Sequence, residues 1–321
     1  MVNEKHLNGY FQSIIEREEV FIRKELLKLP QKEWTDVEVY RLYRFCNVHR
    51  CYDKTFKLLQ KLSDDIGGLN PGLRTVLRWT ANNKLIQFLI DKTEDKEWWD
   101  LLNDANNAIE IDKDVKRLFK AILKVVDSGL FNLSTGSFIV KRYGNDFEEM
   151  CKYYEAGIKF WHEFDYPFIN EGKKRSSKEA VQFFKDNAPW CADFGAYCIV
   201  SDWFYLEPDM FTDLDKWTAY GPGAYRGICK IVGTDISKSQ YLSCLRQLRE
   251  EWLRRAPEMF DQILVDTGLT RDRLNELCKE NEYYPLEDLI LNPIMLDIEH
   301  WLCEYAKYAR GWAKKKYKKD N

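Results

Sequence analysis

Ser237-Lys-Ser-Gln240-Tyr241-Leu-Ser-Cys-Leu245-Arg-Gln-Leu248-Arg-Glu-Glu-Trp252 is the stretch from which the fold class can be read. A serine followed three residues later by a glutamine opens a helix, because each side chain satisfies a free backbone N–H of the other. Tyr241, Leu245, Leu248 and Trp252 then fall on one face at steps of three and four. The same pairing occurs at Thr35/Glu38 and Ser176/Glu179, and Val39, Leu42, Tyr43 and Cys46 make a second apolar stripe. Working outward, the pattern predicts helices near 8–29, 71–91, 113–128, 145–162, 255–268 and 296–312. Strand-like alternation is nearly missing, the one candidate being Gly136-Ser-Phe-Ile-Val140. The expected class is all-α. The polar run Asn170-Glu-Gly-Lys-Lys-Arg-Ser-Ser177 is the best exposed loop. It divides a single catalytic unit, 1–321, into halves of 1–170 and 171–312, followed by a basic tail, 313–321.

Composition limits what such a chain can be. Its 321 residues are 45% hydrophobic and 31% charged, with 9 Pro and 16 Gly, the make-up of a packed globular protein. No apolar run approaches the roughly 20 residues that span a bilayer. The start, MVNEKHLNGYF, lacks a signal-type apolar stretch. A cytoplasmic location is therefore expected, with the nine cysteines reduced. Cys46-Asn-Val-His49 alone has metal-ligand spacing, and no second pair completes it. Cys191 and Cys198 begin no four-cysteine cluster motif, so neither metal nor cofactor is expected. A net charge of -3 argues against general coating of DNA. Positive charge is nevertheless concentrated at the end: Lys307, Arg310, Lys314, Lys315, Lys316, Lys318 and Lys319, interleaved with Tyr305, Tyr308, Trp312 and Tyr317. That segment is either a solvated tail or a phosphate clamp.

Three segments could carry chemistry. On a helix, Tyr43, Asn47, Arg50 and Lys54 would share a face, with Asp53 one turn beyond Arg50 to pair with it. Such a face is an ordinary exposed stripe, or an amide and guanidinium that grip a base edge or phosphate. Phe194-Gly-Ala-Tyr197-Cys-Ile-Val-Ser-Asp202 runs from small residues into an apolar helix. Asp202 there is either buried and paired or set in a cleft. Tyr220-Gly221-Pro-Gly223-Ala-Tyr225-Arg226-Gly227 opens another helix. Its glycines would let backbone approach a ligand, and the helix N-terminus would face an anion. Asp213 and Asp215 lie just upstream as alternative carboxylates. No GxxxxGK[ST] phosphate loop occurs, which argues against a kinase of that class.

Taken in order, these motifs resemble the α-glutamyl/putrescinyl-thymine pyrophosphorylase family. The matching residues are Phe45, Asn47, Val48, Arg50 and Asp53; Ser134-Thr-Gly-Ser137; Phe194, Ala196 and Tyr197 with an acid at or beside Asp202; Gly221 to Ile228; and Leu302 to Arg310. The resemblance covers roughly residues 35–312. It implies an all-helical fold akin to the helix-hairpin-helix DNA glycosylases, two helical halves around a cleft. It also implies enzymes that handle hypermodified pyrimidines in phage DNA. Some members are linked to transfer chemistry at a thymine 5-methylene, and a bacterial branch resembles anti-phage glycosylases that remove glucosylated 5-hydroxymethylcytosine. The expectation is then a monomeric DNA glycosylase that flips a modified pyrimidine from double-stranded DNA and leaves an abasic site. A biosynthetic transferase or pyrophosphorylase, or a non-catalytic DNA-binding module, are the alternatives. Asp202 or Asp215 would stabilise the cationic sugar. Asn47 and Arg50, with Asp53, would read the base or its adduct. Tyr197 and Trp217 would stack on it, while Gly221, Gly223, Tyr225 and Arg226 would meet phosphate.

Overall fold

The computed structural model describes residues 3–43, 45–133, 146–164, 175–188, 191 and 193–309. The 136–140 stretch, the 134–137 motif, most of the 170–177 loop and the tail from 310 lie outside these.

Among the described residues the protein is all-α, with no strand. In chain order the helices are α1 (Glu4–Phe21), α2 (Glu38–Leu42), α3 (Lys54–Asp65), α4 (Pro71–Thr80), α5 (Asn83–Asp91), α6 (Lys96–Asn107), α7 (Lys113–Asp127) and α8 (Asp146–Phe164). They continue with α9 (Ser177–Asn187), α10 (Asp193–Leu206), α11 (Pro222–Val232), α12 (Lys238–Thr267), α13 (Arg271–Glu280), α14 (Leu286–Leu291) and α15 (Met295–Ala309). Two compact units result: residues 1–53 with 214–321, and residues 54–213. The boundary expected near 170 lies inside the second unit.

Local chemistry accounts for most helix ends. The capping boxes at Ser176/Glu179 and Ser237/Gln240 form as expected. α12 runs 30 residues through Pro257 and stops at Gly268, which is left-handed (φ 68°). Two helices were expected there. The apolar stripe continues unbroken across the proline as Trp252, Ala256, Met259, Phe260 and Ile263, all buried. That packing outweighs the one lost hydrogen bond. The stretch 71–91 divides instead, because Ala81 turns left-handed (φ 46°) and the Asn82 side chain caps α5 through the backbone N–H groups of Lys84 and Leu85.

The region 36–54 departs most from expectation. α2 is a single short turn-and-a-half, and Thr35 does not box with Glu38. Its hydroxyl donates to Glu16 at 3.1 Å and accepts from Val37 N at 3.0 Å. After Tyr43 the backbone opens (ψ 130°), and only a 3-10 turn, Arg50–Tyr52, precedes α3. Tyr43, Asn47, Arg50 and Lys54 therefore share no helical face. The reason is tertiary: carbonyls here are claimed from elsewhere in the unit, as described below.

Each unit is organised on a close helix crossing. In the first, α11 packs on α15 and Trp252 of α12 meets Trp301 of α15 at 4.7 Å between ring centroids. In the second, α4 packs on α8. A Cβ on Gly157 would stand 2.6 Å from the Pro71 carbonyl, so only glycine permits that approach.

Candidate functional site

α15 is the hub of the first unit, and its sequence explains why. Asp297, His300, Trp301 and Glu304 recur at steps of three and four and face the 45–50 segment and α1, and Tyr308, one turn on, stacks on Tyr40 of α2. The Trp301 indole donates to Val48 O at 2.9 Å and His300 Nε2 lies 2.8 Å from Asn47 O. From α1, Arg17 Nη2 donates to Cys46 O at 2.7 Å. Three successive carbonyls are thus held by side chains, which keeps this segment extended.

The adjoining face of α15 receives α11. A Cβ on Gly223 would stand 2.3 Å from Cys303 Sγ, and one on Gly227 would stand 2.5 Å from Leu302 O. A Cβ on Gly221 would be 1.9 Å from the Glu299 carboxylate. The Gly-Pro-Gly motif does open a helix, with Gly221 at the cap position and no side chain capping it. Its glycines permit the close approach of α15.

Two clusters of charge follow. His49 is fully buried between Glu18 (2.7 Å) and Asp297 (3.5 Å), themselves at most 1% exposed. Burial alone would lower its pKa, but the two acids raise it to about 9, so the imidazole is a cation in a structural ion cluster. The second cluster is more open. Burial pushes the half-buried Glu299 carboxyl up to about 7, with Arg50 pulling it down and Glu304 adding to the rise. His300 is lowered to about 4, first by burial. It is neutral at pH 7, and its Nε2–H donates to Asn47. Burial also works to raise Glu304, but Arg17 and its partner Lys307 hold it below the usual carboxylate range. The Tyr241 hydroxyl is buried beside Gly221 and Glu299.

Glu299 was not among the residues singled out from the sequence. The signal was present: acids at 297, 299 and 304 inside a largely apolar helix. Alongside, α1, Lys24, Glu25 and residues from 31–43 and 45–48 line a cavity of about 310 Å³ that reaches Asn47.

The sequence-chosen residues divide between the units. Asn47, Arg50, Asp53, Asp215, Trp217, Gly221, Gly223, Tyr225 and Arg226 belong to the first; Tyr197 and Asp202 belong to the second. Asn47 is exposed, and its amide donates to Tyr52 O. Arg50 and Asp53 bracket the 3-10 turn, the Asp53 N–H donating to Arg50 O at 2.9 Å. Arg226 is exposed, and its side chain makes no ion pair or hydrogen bond among the described residues. Tyr225 donates its hydroxyl to Ile236 O at 2.8 Å. Trp217 is half-buried, and Asp215 is half-exposed, 3.9 Å from Lys216. Asp213 accepts from Ser177 N and Oγ, fastening the start of α9.

Asp202 has the buried alternative of its two readings: it is 1% exposed and pairs with Arg78 at 2.9 Å. Tyr197 is also buried, at 5% exposure, with its ring near Phe204.

No curated protein and no solved structure matches the chain. A family model does, the one described as "5-hmdU DNA kinase, helical domain", and it spans residues 4–318. Because that match covers nearly the whole sequence, the chain belongs to the 5-hmdU DNA kinase helical-domain family.

Proposed function

We propose that this chain acts on a modified pyrimidine in DNA and hydrolyses the bond between base and sugar. The observation that carries the reading is Glu299: a carboxyl tuned to about pH 7, beside Arg50 and against the uncapped start of α11. Cleavage of C1′–N sends the bond's electron pair to the base and leaves a cationic sugar. Ionised Glu299 stabilises that cation and takes a proton from the attacking water as its oxygen bonds to C1′, while the departing base anion is protonated by solvent water. Arg50 and Asn47 would contact the base or its adduct, and Arg226 with Gly221 and Tyr225 the backbone phosphates. Trp217, half-buried in the same unit, is the stacking candidate.

The family's description supports the substrate class, since 5-hmdU is a 5-modified pyrimidine in DNA. The bulky case is glucosylated 5-hydroxymethylcytosine, whose removal would serve anti-phage defence. Asp215 is the runner-up acid, being exposed in the same unit. Asp202 would reach the reaction only by leaving Arg78. An all-α chain is consistent with a helix-hairpin-helix glycosylase plan.

A second reading is favoured by one specific observation, the word kinase in that description. On it, the domain serves synthesis of a hypermodified thymine by transfer at the 5-methylene.

One experiment separates them. Duplexes carrying thymine, 5-hydroxymethyluracil, 5-hydroxymethylcytosine or its glucosylated form are incubated with the chain, with and without ATP. Free base and alkali-labile abasic sites are expected from a modified duplex without ATP. A phosphorylated or otherwise enlarged nucleoside, with no base released, would move the function to synthesis. Binding without either product would leave a DNA-binding module.

A further inference from the structure

The cavity under α1 holds a feature that the proposed reaction does not use. Arg17 is 6% exposed and lines it. Its Nη2 is taken by Cys46 O, but its Nε and Nη1 have no hydrogen-bond partner, and it makes no ion pair among the described residues. The buried Glu304 carboxylate offsets the charge of Arg17 without bonding to it, but the two open N–H donors still cost free energy unless an acceptor completes them. Guanidinium is also the group best matched to a planar or tetrahedral oxyanion, through parallel N–H donors.

Beside aliphatic and polar residues and Glu25, the lining holds several aromatic and basic side chains. The Trp34 indole is fixed by donation to Leu29 O at 2.8 Å, with Lys24 5.4 Å from its ring centre. Tyr43 and Phe45 meet edge to face at 4.6 Å, and Arg17 sits 5.8 Å from the Phe45 ring centre. Lys24 is itself paired with Glu25 at 2.8 Å, and Arg41 leans on Thr35 O at 3.4 Å. The anion is therefore left to Arg17, assisted by Arg41. Flat rings beside an open guanidinium suit a ligand that is aromatic at one end and anionic at the other. At about 310 Å³ the space stands at the small end of ligand pockets, which run from roughly 300 Å³ upward. One nucleotide unit fits that description.

We infer that this cavity is a mononucleotide site, with phosphate on Arg17 and a pyrimidine ring against Trp34, Tyr43 and Phe45. Only the choice of a 5-modified base rests on the proposed function; the site itself is argued from Arg17 and the rings. The same chemistry is offered by a nucleotide extruded from DNA and by a free deoxynucleotide.

Calorimetric titration of the full chain tests it. The probes are 5-hydroxymethyl-dUMP, dUMP, the corresponding nucleoside, inorganic phosphate, and a short oligonucleotide with one 5-hydroxymethyluracil. Saturable one-to-one binding of the nucleotides is expected, about tenfold tighter or more than nucleoside or phosphate alone. Arg17→Met should weaken it about ten- to a hundredfold. Competition by the oligonucleotide assigns the site to extruded DNA; its absence assigns the site to free nucleotide. No saturable binding of nucleotide or oligonucleotide, or phosphate binding as tightly as nucleotide, overturns the inference. So does unchanged affinity in Arg17→Met. Should Arg17→Met not fold, Tyr43→Ala and Arg41→Gln decide, and full affinity in both overturns it. The outcome is separable from the reaction: nucleotide binding without base release defeats only the proposed function, and base release without Arg17-dependent binding defeats only this site.

Discussion

At the scale of single residues, protonation decides most of what can be measured. Glu299 titrates near neutrality. If it works as an ionised base, the rate of base release should rise with pH and reach half its plateau near pH 7. Glu299→Gln should slow release on the order of a hundredfold and remove that inflection; an unchanged profile in the variant would transfer the role to Asp215. His49 gives a stability prediction of opposite origin. Its folded pKa, about 9, lies above the unfolded value of about 6.5, so the folded state holds the proton longer. The stabilisation is complete below about pH 6.5 and is lost as pH rises through about 9. Thermal melting of the wild type should fall across that window. His49→Gln should start lower and lose the slope; a parallel slope in the variant would assign it to another group. Asp202, in contrast, should reveal itself in folding. Asp202→Asn leaves Arg78 charged and buried, and should cost about 3 kcal/mol in chemical denaturation. Normal stability with lost activity would return Asp202 to the reaction.

At the scale of elements, two glycine-dependent crossings carry the architecture, and each belongs to one unit. On Gly227 an added methyl would approach the Leu302 carbonyl to 2.5 Å, and on Gly157 it would meet Thr75 Oγ1 at 2.5 Å and Pro71 O at 2.6 Å. Neither obstacle is the loose end of a long side chain. Each alanine variant should therefore lose about 1–3 kcal/mol as helices are forced apart. Hydrogen exchange should localise the loss, to α11 and α15 for Gly227→Ala and to α4 and α8 for Gly157→Ala. Equal loosening of both pairs in either variant would contradict the division. The Gly-Pro-Gly motif also shows how a glycine can have a reason that lies far along the chain. Gly-Pro-Gly marked a helix start, but the demand for a missing side chain comes from α15, some 80 residues later, and no local rule announces it.

At the scale of the whole molecule, the chain leaves its first unit after residue 53 and returns at 214. Residues 54–213 should accordingly fold alone into a helical domain with one cooperative melting transition, followed by circular dichroism; a broad, non-cooperative melt would refute their independence. What the sequence determined by itself was the class of structure and the location of most helices, because caps and the 3.6-residue period act over a few neighbours. Ser176 and Ser237 formed their boxes, and Tyr241, Leu245, Leu248 and Trp252 are buried as their spacing demanded. Not every end was read: Asn82 caps α5 inside a stretch expected as one helix, although asparagine favours that position. Tertiary structure decided the rest. Residues 45–49 had helical spacing yet stay extended, since Arg17, His300 and Trp301 take their carbonyls from sites as far as 253 residues away. Asp202 could have been cleft or core until Arg78 was found beside it. Glu299 acquires its character only from burial with Arg50, Glu304 and Gly221 around it. A carboxyl's pKa, like a glycine's necessity, is set by what surrounds it in space, and proximity of that kind is not written in the order of the residues.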